Sequence, residues 1–253
     1  MLKFFRQIRQ KLLEQQKVKN YFLYAIGEII LVVIGILIAL QINTWNQNRL
    51  TKLKEKEILT DFKRELSIEI QELQKVIPQY SHSKKSINNI LNHLENDLPY
   101  NDSLASDFFN STNTYDFVGF RTGVYEALKT NGLDLISNKE LRNLIIDVYD
   151  NKVPWMTSWG NRYIDQVFYA QQNIYNTRFK DFWNGDYKDP NLRGIMIPLN
   201  YDKLKIDDEF KYHLRTQLNL IDWLVNKPFD ETQIVLTKLM SLINSELDES
   251  AKE

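Results

Sequence analysis

An unbroken apolar stretch lies near the start of the chain. From Tyr21 to Asn43 the chain runs for 23 residues, and Glu28 is the only charged one. At ~1.5 Å of rise per residue, a helix of this length crosses the ~30 Å hydrocarbon core of a bilayer. Fourteen of these residues are Leu, Ile, Val or Phe, and their summed preference for lipid outweighs the cost of one carboxylate. The pattern predicts one transmembrane helix over residues 21–43.

Aromatic residues mark both ends of this stretch. Tyr21 and Tyr24 lie at one end and Trp45 at the other, where amphipathic rings favour the headgroup level. A cleaved signal peptide has an apolar region of only about 7 to 15 residues, followed by a small-residue cleavage site. This stretch is longer and continues into polar residues, so we predict an uncleaved anchor that contacts membrane lipid.

Apolar residues then recur every three or four positions, which is the period of an α-helix. This repeat predicts a long membrane-proximal helical segment over residues 44–97, in which Pro78 introduces a kink. The residues that carry the repeat are Leu59, Phe62, Leu66, Ile70, Leu73, Ile77, Tyr80, Ile87, Ile90, Leu91 and Leu94.

The same period continues through the remainder of the domain, residues 98–253. Gly132 suits the end of a helix that finishes near Thr130, and Ser137 with Glu140 predicts a capping box that starts the next helix. Further helices are expected at 154–183, 207–226 and 230–249, with a short strand at 195–199. The predicted fold class is therefore all-α: one N-terminal transmembrane helix followed by a helical-bundle domain.

The helix predicted at 154–183 is rich in aromatic residues at helical spacing. Such a stripe is typical of a packed core, and it is also typical of an apolar ligand pocket. Both interpretations stay open for its members, which are Trp155, Trp159, Tyr163, Val167, Tyr169, Ile174, Phe179 and Phe182.

Basic residues dominate the segment before the span. Residues 1–20 predict an amphipathic cytoplasmic helix whose Lys3, Arg6, Arg9 and Lys11 contact lipid headgroups. A solvated basic tail that only sets the topology is the alternative. Since long domains cross the membrane largely regardless of charge, the short basic end favours a cytoplasmic N-terminus. We therefore expect the C-terminal domain to lie on the other side of the membrane, outside the cytoplasm.

The charge of the remaining chain excludes one class of partner. Residues 50–253 carry 25 basic and 31 acidic residues, a net charge of −6. A mildly acidic domain lacks the electropositive surface that nucleic acid requires, so no nucleic-acid partner is expected.

Candidate catalytic chemistry is sparse. The chain has no cysteine and only three histidines, and it lacks phosphate-binding, nucleophile-elbow and zinc-protease motifs. The sequence predicts no enzyme, no catalytic residue, no metal site and no cofactor.

The most specific candidate site lies inside the predicted span. At ~100° per residue, Gly35 and Ala39 fall within about 20° of Glu28 around a helix, and Asn46 falls on the same line. Small residues four apart let a second backbone approach, and a carboxyl on that face can hydrogen-bond across the contact. Glu28, Gly35, Ala39 and Asn46, called the span face below, are therefore a predicted association face for another transmembrane helix, from a second copy or a different protein. The alternative is that Glu28 reaches the cytoplasmic interface.

The stretch "YAIGEIILVVIGILIALQINTWN" resembles the signature of an uncharacterised family of single-pass membrane proteins, known mainly from Bacteroidota and classed as a domain of unknown function. Tyr24, Gly27, Glu28, Gly35, Gln41, Asn43 and Trp45 match that motif. Thr44 and Gln47 depart from it, since the family has a second Asn and an acidic residue at those positions. The resemblance is specific over about 25 residues and weaker around "ALKTNGLDLISNKELRNLI", so that it covers about a quarter of the chain in all. It implies an anchor with a helical domain and no known activity.

Two functions follow as expectations. The first is a membrane-anchored structural or interaction protein, oligomeric or paired through its span, which presents a periplasmic helical domain to a protein partner or ligand. The second is an accessory subunit of an ion-driven membrane complex that uses the carboxylate of Glu28.

Overall fold

The computed structural model describes residues 18–112, 119–181 and 194–249. Within them the chain forms eight α-helices and no strand; one isolated antiparallel bridge joins Phe179 and Pro198. The helices are α1 (Val18–Glu95), α2 (Ser103–Ser111), α3 (Gly123–Asn131), α4 (Lys139–Asp147), α5 (Val153–Asn173), α6 (Tyr201–Lys205), α7 (Asp208–Leu224) and α8 (Asp230–Glu249). The chain divides into two compact units, residues 1–55 and 56–253, which are described separately.

In the second unit, two pairs of helices merge into continuous rods. One π-helical turn, Val148–Lys152, joins α4 to α5, and another, Val225–Phe229, joins α7 to α8. The sequence predicts separate helices at 207–226 and 230–249, and the α-helices lie close to those bounds, at Asp208–Leu224 and Asp230–Glu249. The π turn between them contains Pro228, whose missing N–H and bulky ring an ordinary α-turn does not tolerate.

The two rods and α1 form a three-helix bundle. Gln217 in the second rod donates a hydrogen bond to the Tyr163 hydroxyl in the first, and Asn138 reaches Glu246, so the rods run antiparallel. The α1 helix runs parallel to the first rod, since Phe62 meets Tyr149 and Tyr80 meets Tyr163. Two parallel helices need a return connection, and the chain supplies it through α2 and α3.

The apolar repeat predicted on α1 forms its buried face. Leu59, Phe62, Leu66, Leu73 and Tyr80 are at most 5% exposed, and the remaining members of the repeat are buried or pack against the core. The helix continues without interruption through Pro78. The segment predicted as helical over residues 44–97 is helical as far as Glu95, two residues short of the predicted end.

Several predicted boundaries change. Asn138, not Ser137, caps α4 by accepting hydrogen bonds from the amides of Glu140 and Leu141 at 3.0 and 3.1 Å. The aromatic helix ends at Asn173 rather than residue 183, and a 3₁₀ turn, Tyr175–Thr177, follows it. Gly132 directly follows α3 with φ of 100°, a backbone conformation that glycine adopts without strain, so its predicted role at a helix end is confirmed.

The predicted strand at 195–199 is an extended strap instead. Its backbone bonds to two different neighbours: the Met196 amide donates to the Ala105 carbonyl, and the Leu199 amide donates to the Arg178 carbonyl. Just before it, Gly194 lies beside the ring of Phe109, where an added Cβ atom would come within 2.2 Å of the ring. The strap thus joins α2 to the segment that follows α5.

Candidate functional site: the face of the apolar helix

The apolar part of α1 is one candidate membrane span among the described residues. Its large apolar side chains are exposed throughout; Phe22, Leu31 and Trp45 are 65%, 68% and 64% exposed. A helix that is apolar all round needs lipid or another protein to cover it. The first unit thus provides a segment whose physical chemistry fits a bilayer.

The span face keeps its predicted alignment, because the helix is continuous from Val18 past Asn46. Gly35, Ala39 and Asn46 are exposed. A Cβ atom added to Gly35 would meet nothing within 4 Å. The described residues therefore leave this face open to a neighbouring backbone.

Glu28 differs from the rest of the span face. It is partly buried, beside a shallow groove lined by Ala25, Ile29, Val32 and Val33, and it takes part in a polar interaction within the chain. The groove extends away from Gly35 and Ala39 around the helix. Glu28 thus has a partner within the chain at the point where the sequence predicts a contact with another helix.

The other predicted membrane residues are only partly described. Trp45 projects from the helix as an interface anchor would. The side chains of Tyr21 and Tyr24 lie outside the described residues, as do the headgroup contacts predicted for Lys3, Arg6, Arg9 and Lys11 and most of the basic segment 1–20.

Two leucines on the same face were not predicted from the sequence. In residues 46–54, called the exit segment below, Leu50 and Leu53 are the only apolar residues, and they are 46% and 55% exposed. Counted at ~100° per residue, both fall within about 40° of the Glu28 line. Continuing the same count past Asn46 would have found them.

The interior of the second unit holds a polar cluster around the buried C-terminus of α2. The last carbonyls of a helix lack partners within the helix and must find them elsewhere. Here Ser83 donates to the Asn110 carbonyl at 2.7 Å, and Gln217 donates to the Ser111 carbonyl at 2.5 Å. Gln217 also bonds the Tyr163 hydroxyl at 3.2 Å. Side chains from α1 and both rods thus converge on one helix end, which fixes their relative register.

His213 lies beside this cluster and is 5% exposed. Its ring meets Tyr175 edge-on at 5.6 Å, and its Nε2 atom has no hydrogen-bond partner among the described residues. Burial lowers the pKa of His213 to about 4; the positive charge of Arg178 acts in the same direction, and the neighbouring polar side chain of Gln217 opposes the shift. The buried ring is therefore neutral at pH 7.

This shift predicts acid destabilisation. Because the folded pKa lies below the unfolded value of about 6.5, the unfolded chain binds the proton first, and stability is lost as pH falls from about 6.5 towards 4. Between pH 7 and pH 5 we expect His213 to account for a loss of about 2 kcal/mol in the free energy of unfolding. Urea unfolding of wild type and His213→Leu at both pH values measures it. Equal pH dependence in the two proteins would contradict the assignment to His213.

A pair of acidic residues on α1 holds the start of α3. The buried Glu69 carboxylate accepts hydrogen bonds from the Arg121 guanidinium at 2.9 Å and from the Arg121 amide at 3.3 Å. Burial raises the pKa of Glu69, and the contacts with Arg121 partly offset this. Glu65, one turn earlier, lies beside Gly123 at the α3 N-terminus, where the helix dipole favours negative charge. The pair serves to position the return connection.

The aromatic helix contributes mainly to the core. Tyr163, Val167 and Ile174 are buried, whereas Tyr169 is 65% exposed and does not belong to the buried stripe. Trp159 is partly buried and packs edge-on against Trp223 at 5.5 Å. This arrangement favours packing over a ligand pocket for the described part of the stripe.

Neither a search for metal-binding groups nor comparison with known proteins points to a function. Within residues 18–112, 119–181 and 194–249, no three His, Asp or Glu side chains are grouped to hold a metal ion. No protein-family model, curated protein or solved structure matches the chain. Membership of the Bacteroidota family stays a prediction from the motif.

Proposed function

We propose that the protein is a structural or interaction protein anchored in the bacterial inner membrane, which presents its helical domain to a periplasmic protein partner or ligand. The observation that carries this proposal is the exposure of every large apolar side chain described between Phe22 and Ile42, in a helix that continues into a folded domain. Covering that surface requires an apolar environment, which a bilayer supplies. The buried polar cluster at α2 supports a stable scaffold rather than a reactive centre.

Topology is the first test. A phosphatase fused after Glu253 should be active if the domain is periplasmic, because that reporter matures only outside the cytoplasm. A reporter that is active only in the cytoplasm, fused at the same position, is the control. Activity of the cytoplasmic reporter alone would reverse the orientation.

The span face is proposed to associate with another transmembrane helix. Gly35→Ile should hold the two backbones apart and reduce association in the membrane about tenfold, since helix contacts there depend on close packing. Gly27→Ile is the matched control, because Gly27 also has open space around it and lies about 100° from the Glu28 line. An in-membrane reporter of helix association measures both. Equal loss of association in the two variants would contradict the proposal that the span face is the contact surface.

Substitution of Glu28 distinguishes the two candidate functions. A carboxyl within the span motivates the second one, an accessory role in an ion-driven complex. If Glu28 only hydrogen-bonds across a helix contact, Glu28→Gln retains association and function. If it carries charge, Glu28→Gln retains association and abolishes ion-dependent activity of the complex.

A further inference from the structure

We infer that the exit segment is a docking surface for a second helix that carries an apolar stripe flanked by acidic residues. This inference rests on the proposed function, because it assumes that Trp45 marks the outer membrane interface. It names the chemistry of the partner, which the span face leaves open.

The first observation is an apolar stripe outside the span. Leu50 and Leu53 are about half exposed although seven polar residues surround them in the segment. With Asn46 they occupy one side of the helix, in line with the span face. An exposed apolar stripe of this kind is the usual contact of one helix with another.

The second observation is the charge beside the stripe. Residues 46–54 contain Arg49, Lys52 and Lys54 and no acidic residue. By ~100° per residue, Arg49 lies about 60° to one side of the Glu28 line and Lys54 about 80° to the other. Neither forms an ion pair with another described residue. Residues in such flanking positions select the charge of a partner helix.

This charge disfavours a second copy as the occupant. Two copies anchored in one membrane run parallel, so Arg49 of one copy would face Lys54 of the other, five residues on. Like charges at these flanking positions repel. A helix with Glu or Asp at its flanks converts both contacts into ion pairs.

Distance disfavours lipid as the occupant. Leu53 follows Trp45 by eight residues, or ~12 Å along a helix. The headgroup layer on each side of a bilayer is only about 5 to 8 Å thick. With Trp45 at the interface, Leu53 lies beyond the headgroups in water, so only a protein partner can cover it.

The test uses the full chain in vesicles of neutral phosphatidylcholine and a designed helical peptide. The peptide carries leucines at heptad spacing with glutamates at the flanking positions, and a second peptide carries lysines there. We expect the acidic peptide to bind and the basic peptide to bind at least ~10-fold more weakly. Leu50→Ser with Leu53→Ser should abolish binding.

Two double variants with the same change in net charge test the contribution of the flanking basic residues. Arg49→Gln with Lys54→Gln and Asn48→Glu with Thr51→Glu each change the net charge by −2, but Asn48 and Thr51 lie on the far side of the helix. The first pair should weaken binding of the acidic peptide about 5-fold, since exposed ion pairs contribute modestly. The second pair should change it less than 2-fold. If the two double variants weaken binding of the acidic peptide equally, the attraction depends only on net charge, and the proposed docking surface is wrong.

Cysteine substitution tests the other occupants, because the chain has no cysteine of its own. Ready disulfide formation between Leu53→Cys copies in vesicles would make a second copy the occupant. Quenching of a fluorophore on that cysteine by nitroxide-labelled lipid headgroups would make lipid the occupant. Either result overturns the inference, whereas loss of the Gly35-dependent association would instead reject the proposed function.

Discussion

Replacing Gln217 with Leu should lower the free energy of unfolding of the helical domain by about 3 kcal/mol. Gln217 is 1% exposed and its Nε2 donates to the Ser111 carbonyl and the Tyr163 hydroxyl. Leucine has a similar volume but no donor, so the substitution leaves a helix-end carbonyl buried without this partner. Each buried polar group left unpaired costs about 1 to 3 kcal/mol.

Asn219→Leu is the matched control, since Asn219 also carries a side-chain amide, lies on the same helix and is exposed. It should change stability by less than about 0.5 kcal/mol. Chemical denaturation of the full chain in mild detergent, followed by near-ultraviolet circular dichroism, measures both variants. If Gln217→Leu unfolds at the same denaturant concentration as Asn219→Leu, the polar cluster does not stabilise the bundle.

Gly194→Ala should destabilise the domain by about 2 to 3 kcal/mol, through overpacking rather than loss of a contact. An added Cβ atom would lie 2.2 to 2.3 Å from three atoms of the Phe109 ring, and that ring is buried. Either the ring or the strap has to move, and shifts in a packed core cost about 1 to 3 kcal/mol.

Gly119→Ala is the control, because a Cβ atom there would meet nothing within 4 Å. A smaller side chain at position 109 should also relieve the clash: Gly194→Ala combined with Phe109→Leu should be more stable than the sum of the two single effects predicts. Strict additivity in this double-mutant cycle, measured by the same denaturation, would show that the two residues do not meet.

The span face could be predicted from the sequence, whereas the exit segment was recognised only in the structure. The alignment of Glu28, Gly35, Ala39 and Asn46 follows from the sequence because a helical repeat fixes the direction of each side chain once the helix exists. Leu50 and Leu53 were missed, since a count that stops at the end of the apolar stretch ignores two isolated leucines among polar residues. Their significance depends on exposure, which only the folded chain reveals.

What the sequence by itself determined is local and periodic: an apolar helix of membrane length, the all-α class, the buried face of α1, and the backbone freedom needed at Gly132. Each depends on near neighbours along one helix. The tertiary structure decided the hydrogen bond from Asn138 to Glu246 and the strap against Phe109. It also decided the convergence of Ser83 and Gln217 on the end of α2. These features join residues that lie far apart in the chain, and their energies depend on packing and on buried hydrogen bonds, which no repeat along the sequence encodes.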